Sequence, residues 1–157
     1  PNNLILVDLK TMDAGEYEAE PFYKAGADIC TVLGASGIAT IKGVIAAAKK
    51  YGKECQVDMI NVDDKESLAK EAVAAGADII GVHTGLDAQA AGHTPFADLA
   101  AIAALNTGAK ISVAGGVKAA TAQEVKDAGA AIIVAGAAIY GAADPAAAAS
   151  EITAIAH

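Results

Sequence analysis

Tryptophan is absent from this 157-residue chain, which holds only four tyrosines and two phenylalanines. A core without many large rings must come from small and aliphatic side chains. Those are abundant: hydrophobic residues make up 54% against 19% charged, enough to bury a core and to exclude a disordered chain. Much of that content is alanine, with 16 glycines, which suits helices packed closely on a sheet. Cysteine is nearly missing. Cys30 and Cys55 each sit inside an apolar run, which excludes a disulfide framework and fits inert structural thiols in a reducing, cytoplasmic setting. No apolar run approaches the roughly 20 residues of a membrane helix, so no membrane partner is expected. The opening Pro1-Asn2-Asn3 has neither the basic nor the apolar region of a signal peptide. Positive charge is outnumbered, 11 Lys and Arg against 19 Asp and Glu, for a net charge of -8. Such a surface repels a phosphate backbone, so nucleic acid is not expected as a partner. A small anionic substrate remains open, because a local cradle of backbone N–H groups with one lysine outweighs distant charge.

Short β-type runs alternate with helical patterns from end to end. Strands are expected at 4–8, 29–33, 54–60, 79–83, 110–114 and 132–135. Most are nearly continuous in Val, Ile and Leu, the pattern of parallel strands covered on both faces. Helices are expected at 15–25, 37–51, 65–75, 95–106, 121–128 and 145–155. A repeat marks the joints: Ala25-Gly26-Ala27-Asp28 returns as Ala75-Gly76-Ala77-Asp78 and, more loosely, as Ala128-Gly129-Ala130-Ala131. Each ends a helix at a glycine suited to a left-handed cap and leads into a strand. Six β-then-α units imply one α/β domain over residues 1–157 with a parallel sheet. Periodicity leaves a barrel and an open doubly wound sheet equally available. The lack of a Gly-x-Gly-x-x-Gly after the first strand weighs against dinucleotide binding.

Polar residues interrupt the apolar runs mainly at strand C-terminal ends, where α/β proteins bind ligands. Asp8 and Lys10 are expected to close the first strand, with Asp13 just beyond, while Asp58 lies in the third and His83 ends the fourth. Strand alternation sends Asp8 and Lys10 to one face. Such a pair can hold a metal or stabilise an enediolate; it can equally be a strand-end ion pair. A lone histidine such as His83 can be purely structural. Asp63-Asp64-Lys65-Glu66 reads as a capped helix start, His93 as a loop residue and His157 as a chain end. Gly115-Gly116 and Gly136-Ala137 follow the last two strands, and tight turns with free N–H groups there suit an anion nest.

Asp8-x-Lys10-x-x-Asp13 resembles the D-x-K-x-x-D signature of the orotidine-phosphate decarboxylase superfamily. The longer string from Asp8 to Glu16 resembles the branch of hexulose-6-phosphate synthases and 3-keto-L-gulonate-6-phosphate decarboxylases. So do Thr31-Val-Leu-Gly34, His83-Thr-Gly-Leu-Asp-Ala-Gln89, Val113-Ala-Gly-Gly116 and Ala138-Ile-Tyr-Gly-Ala-Ala-Asp-Pro145. The resemblance covers essentially the whole chain and implies a TIM (β/α)₈-barrel fold. Pocket positions lean toward the synthases: Asp58 stands where the decarboxylases show Glu, Leu86 where they show Arg, and Ala114 where they show Thr.

The resemblance implies a Mg²⁺-dependent aldol condensation of formaldehyde with D-ribulose 5-phosphate, in a homodimer whose site lies near the interface. Asp8 would ligate the metal, Lys10 would stabilise the enediolate, and His83 would move the C1 proton. Asp13 would reach into the partner's site. Gly115, Gly116, Gly136 and Ala137 would hold the phosphate, with Asp58, Leu86 and Ala114 lining the pocket. The family begins with two further β/α units, so about six of eight are expected here, without the carboxylates that the first two strands supply. The decarboxylase reaction is the near alternative. A non-catalytic sugar-phosphate-binding fragment is the alternative from another class.

Overall fold

The computed structural model describes residues 3–156, so His157 and the first two residues lie outside the description. Six strands alternate with helices: β1 (Leu6–Thr11), β2 (Ile29–Leu33), β3 (Glu54–Asp58), β4 (Ile79–His83), β5 (Lys110–Ala114) and β6 (Ile132–Val134). They hydrogen-bond in sequence order, and the β1–β2, β2–β3, β3–β4 and β5–β6 pairings are all parallel. A doubly wound sheet reverses its strand order at a switch point, and this order has no reversal. The succession is that of a (β/α)₈-barrel fold, with six of its β/α units present.

The chain divides into two compact units, Pro1–Gly81 with Thr107–Ala109, and Val82–Asn106 with Lys110–His157. In the first, α1 (Gly15–Lys24), α2 (Ile38–Tyr51) and α3 (Lys65–Ala75) carry the apolar faces. Ala19, Tyr23, Ile41, Val44, Ala47, Ala48, Ala69 and Ala72 are buried, with Cys30, Val32, Cys55 and Val57 from the strands. Small residues let α1 and α2 approach: a Cβ on Gly43 would lie 2.8 Å from the backbone nitrogen of Glu16. The Tyr23 hydroxyl donates to the Glu54 carbonyl at 2.8 Å and accepts from the Cys30 N–H at 3.2 Å. Burial pushes the Tyr23 phenol and both thiols up, so Cys30 and Cys55 are inert core residues, as their apolar context implies.

In the second unit, α4 (Leu86–Ala90), α5 (Phe96–Ala104), α6 (Ala119–Asp127), α7 (Ala137–Tyr140) and α8 (Pro145–Ala156) accompany β5 and β6. Leu99, Ile102, Val113, Ala122, Val125 and Ile152 form its core. The two short helices α4 and α7 were not expected, because four or five residues are too few to display a helical period.

Three strands differ from the sequence expectation, β6 only in stopping at Val134 rather than residue 135. β1 begins two residues later and runs on to Thr11, so Asp8 and Lys10 lie within it. β3 stops at Asp58 rather than reaching residue 60, because the Asp58 carboxylate accepts the Ile60 N–H at 2.9 Å and turns the chain.

The repeated joint has one physical role. The residue at its fourth position donates its N–H to the preceding strand or the residue just before it: Asp28 to Ile5, ahead of β1, Asp78 to Cys55 in β3, and Ala131 to Ile111 in β5. In the two full copies the aspartate side chain completes the exchange, accepting Ile5 N–H and Cys55 N–H, each at 2.9 Å. Ala131 has no carboxylate to do so. Asp28 also pairs with Lys53 at 2.6 Å, and that hydrogen bond, aided by Ile5 N–H, holds its carboxyl below the usual range.

Asp78→Ala orphans the Cys55 N–H and should cost about 1–2 kcal/mol in a denaturant melt. Asp28 carries a pH signature instead. Its depressed folded pKa contributes stability above the unfolded value of about 4, which is lost as pH falls through the folded value. The stability gap between wild type and Asp28→Asn should be widest near neutrality and close in acid. A gap independent of pH would remove ionisation of Asp28 from the account.

Candidate active site

The first cluster grows from an irregularity in β1. Val7 pairs with Cys30 and Thr11 with Val32, so four residue steps on β1 span two on β2. The surplus is a bulge, a device that re-aims side chains near functional sites. Lys10 sits in it with φ of 48°, a left-handed conformation costing about 1–3 kcal/mol for a residue with a Cβ. Simple alternation therefore does not operate here, yet the bulge still brings Lys10 back onto Asp8.

Lys10 Nζ lies 2.6 Å from Asp8 Oδ2 and 3.2 Å from Asp58 Oδ2. The Asp58 side chain is 3% exposed and that of Asp8 is 54% exposed, so one carboxylate is sealed in and the other faces outward. Burial by itself would lower the Lys10 pKa. The hydrogen bonds and fields of Asp8 and Asp58 outweigh it, and the ammonium is held above its usual value. The ammonium form of Lys10 is thus favoured more than in a free lysine. Thr31 on β2 completes the cluster: its hydroxyl donates to Asp8 Oδ1 at 2.8 Å and accepts the Lys10 N–H at 2.9 Å.

The second cluster lies in the second unit, beyond the ends of β4 and β5. His83 ends β4, half-buried, and Ala114 ends β5. Thr84 donates its N–H to the Ala114 carbonyl, and the Gln89 amide donates to the Thr84 carbonyl at 2.7 Å. Gly115 and Gly116 follow at φ of 111° and 73°. A Cβ on Gly115 would collide with the Thr84 carbonyl, so glycine is required sterically as well as conformationally. Because Ala114 pairs with Val134, the turn at Gly115-Gly116 and the one at Gly136-Ala137 leave neighbouring strands. Gly136 and Ala137 are exposed at the start of α7.

Other expected residues stand apart. Asp13 is exposed beyond β1, where its carboxylate accepts the Ala14 N–H at 2.8 Å. Leu86 opens α4 and is 74% exposed. Thr31, Thr84 and Gln89 were given no individual role from sequence. Strand register brings Thr31 to Asp8 and Lys10, while Gln89 reaches Thr84 across the turn into α4.

Mg²⁺ suits this chemistry in kind. It takes hard oxygen donors and is commonly held by one or two carboxylates together with substrate oxygens. Asp8 presents such a carboxylate outward. Among the described residues no three of His, Cys, Asp and Glu gather as a closed all-protein metal site would require.

The profile of the Orotidine 5'-phosphate decarboxylase / HUMPS family matches residues 2–152. A 3-hexulose-6-phosphate synthase from Methylomonas aminofaciens is 73% identical over 156 residues, spanning 99% of this chain and 75% of the relative. The crystal structure of a 3-hexulose-6-phosphate synthase from Salmonella typhimurium superposes with a TM-score of 0.95 at 42% identity, over 99% of this chain and 74% of that one. A 3-keto-L-gulonate-6-phosphate decarboxylase from Vibrio cholerae superposes with a TM-score of 0.79 at 28% identity, over 99% of this chain and 74% of that one.

The charge cluster predicts its own response to mutation. Asp58→Asn removes one of the two carboxylates that keep Lys10 protonated, so the Lys10 pKa should fall. Amine-directed labelling of Lys10, followed by mass spectrometry across an alkaline pH series, should then begin at lower pH than in the wild type. An unchanged labelling profile would mean that Asp58 does not influence the ammonium.

Proposed function

Because this chain belongs to the Orotidine 5'-phosphate decarboxylase / HUMPS family, we propose that it joins formaldehyde to D-ribulose 5-phosphate to give a 3-hexulose 6-phosphate. It is a carbon–carbon lyase, and the reaction is a reversible aldol. The observation that carries the reading is the outward-facing Asp8 carboxylate held 2.6 Å from the Lys10 ammonium. Identity of 73% to a synthase, against 28% to a decarboxylase, supports the choice of reaction.

The proposed chemistry moves one proton and forms one bond. His83 takes a proton from C1 of the bound sugar phosphate, leaving an enediolate across C1 and C2. The Lys10 ammonium faces the developing oxyanion, whose charge it stabilises without giving up its own proton. C1 then attacks the carbonyl carbon of formaldehyde. His83 returns the proton to the new alkoxide, so atoms and charge balance. Mg²⁺, held by Asp8, would supply Lewis-acid polarisation of the substrate oxygens. The turns at Gly115-Gly116 and Gly136-Ala137 would receive the phosphate through backbone N–H groups. Asp58, Leu86 and Ala114 would shape the pocket. Leu86 offers no cationic grip of the kind an arginine gives, which disfavours the decarboxylase reaction. Asp13, exposed beyond β1, would act across the interface of a homodimer.

His83→Asn should lower turnover by about 10²-fold or more with the fold intact. Near-normal turnover in that variant would take His83 out of the mechanism. The substrate assignment is checked by assaying formaldehyde-dependent loss of ribulose 5-phosphate beside decarboxylation of 3-keto-L-gulonate 6-phosphate, with and without EDTA. Condensation should be the faster reaction, should fail on chelation and should return with Mg²⁺. Faster decarboxylation would overturn the assignment.

A further inference from the structure

We propose that Thr31 is a positioning residue for the reaction, fixing through one hydroxyl both the Asp8 carboxylate and the backbone that aims Lys10. The inference rests on the reading above, in which Asp8 and Lys10 act on the substrate.

The bulge in β1 creates the need. A residue displaced from the β1–β2 ladder loses its usual carbonyl partner, and a buried N–H without one is costly. The Lys10 N–H finds that partner in Thr31 Oγ1, at 2.9 Å. The hydroxyl has one proton to give, and it goes to Asp8 Oδ1 at 2.8 Å. Donor and acceptor capacity are thus both engaged, in opposite directions, on two residues of the same bulge. The other Asp8 oxygen is the one bonded to Lys10 Nζ, so the carboxylate is held from both sides. Thr31 is 1% exposed, which leaves solvent little access to substitute for it.

The consequence is a closed chain of bonds. Thr31 holds the Lys10 backbone in its left-handed conformation, that conformation returns Nζ to Asp8, and Asp8 returns to Thr31. Alternation on β2 and β3 places Thr31 on the same sheet face as Gln56 and Asp58, opposite the helix-facing Cys30 and Val32. The residue is therefore directed to the reacting face and not to the helix-packed core. A β-branched side chain has a stiff χ1, which suits a part that must hold two groups at fixed directions.

The test compares Thr31→Val, which keeps shape and removes the hydroxyl, with Thr31→Ser, which keeps the hydroxyl. Thr31→Val should lower kcat by about 10–100-fold with KM little changed, the range found when groups that orient active-site ligands are removed. Thr31→Ser should recover most of that loss. The Lys10 amide, followed by hydrogen exchange, should be protected in the wild type and in Thr31→Ser and exchange faster in Thr31→Val. Should Thr31→Val not fold, Thr31→Cys, with its weak donor and acceptor, should lose kcat in the same sense. Wild-type kcat and wild-type Lys10 exchange in a folded Thr31→Val or Thr31→Cys protein would overturn the proposal. Asp8→Asn and Lys10→Ala, run in parallel, separate the two levels. If both are inactive while Thr31→Val is fully active, only the positioning role fails. If both turn over normally, the underlying reading fails with it.

Discussion

Parallel pairing constrains everything else in this fold. Two parallel strands cannot be joined by a tight turn, so each strand needs a crossover to return the chain to the same edge. Here the crossovers are helical, and the strands follow one another in sequence order. β1 to β4 therefore run the same way, as do β5 and β6. Within the second unit, the turns after β5 and β6 leave neighbouring parallel strands at the same end for that reason. The repeated Ala-Gly-Ala-Asp joint serves parallel pairing at the opposite end, where Asp28 and Asp78 bond back to the preceding strand or the residue just before it and set the register in which each new strand begins.

Within that frame, the charged residues follow a division between burial and exposure. Asp58 is sealed in, and burying a carboxylate is costly unless it is paired and hydrogen-bonded. Lys10 and the Ile60 N–H supply both needs. Asp8 stands outside, bonded to the same ammonium, and is the carboxylate a substrate or metal can approach. The acidic surface, with its net charge of -8, does not oppose a phosphorylated substrate in such a setting. One lysine ammonium and a few oriented N–H groups act at close range, while distant surface charge is screened within about 10 Å at ordinary salt.

Much of the architecture was legible in the chain itself. Continuous Val and Ile runs identified the strands, and the glycine-marked joints identified where helices end; Gly76 does adopt a left-handed cap. The Asp8-x-Lys10-x-x-Asp13 string carried the resemblance to the family, which the match over residues 2–152 shows. The short helices α4 and α7 were not legible, since propensity needs more residues than they contain. The end of β3 was missed for a related reason: Ile60 looks like a strand residue until the Asp58 carboxylate captures its N–H.

Identity and spacing of the charged residues were properties of the sequence alone, as was the alternation of strand and helix that orders them. Their geometry was decided elsewhere. Two surplus residues in β1 become a bulge only against the register of β2, which local sequence does not encode. The left-handed turn at Lys10 directs its N–H to Thr31, twenty-one positions away in the sequence. The steric requirement for glycine at Gly115 arises only because Thr84 presents a carbonyl to it. Local sequence specifies what each residue can do chemically. Which groups meet depends on pairing between distant strands, because hydrogen bonds and ion pairs act over a few ångströms and only the folded chain brings their partners that close.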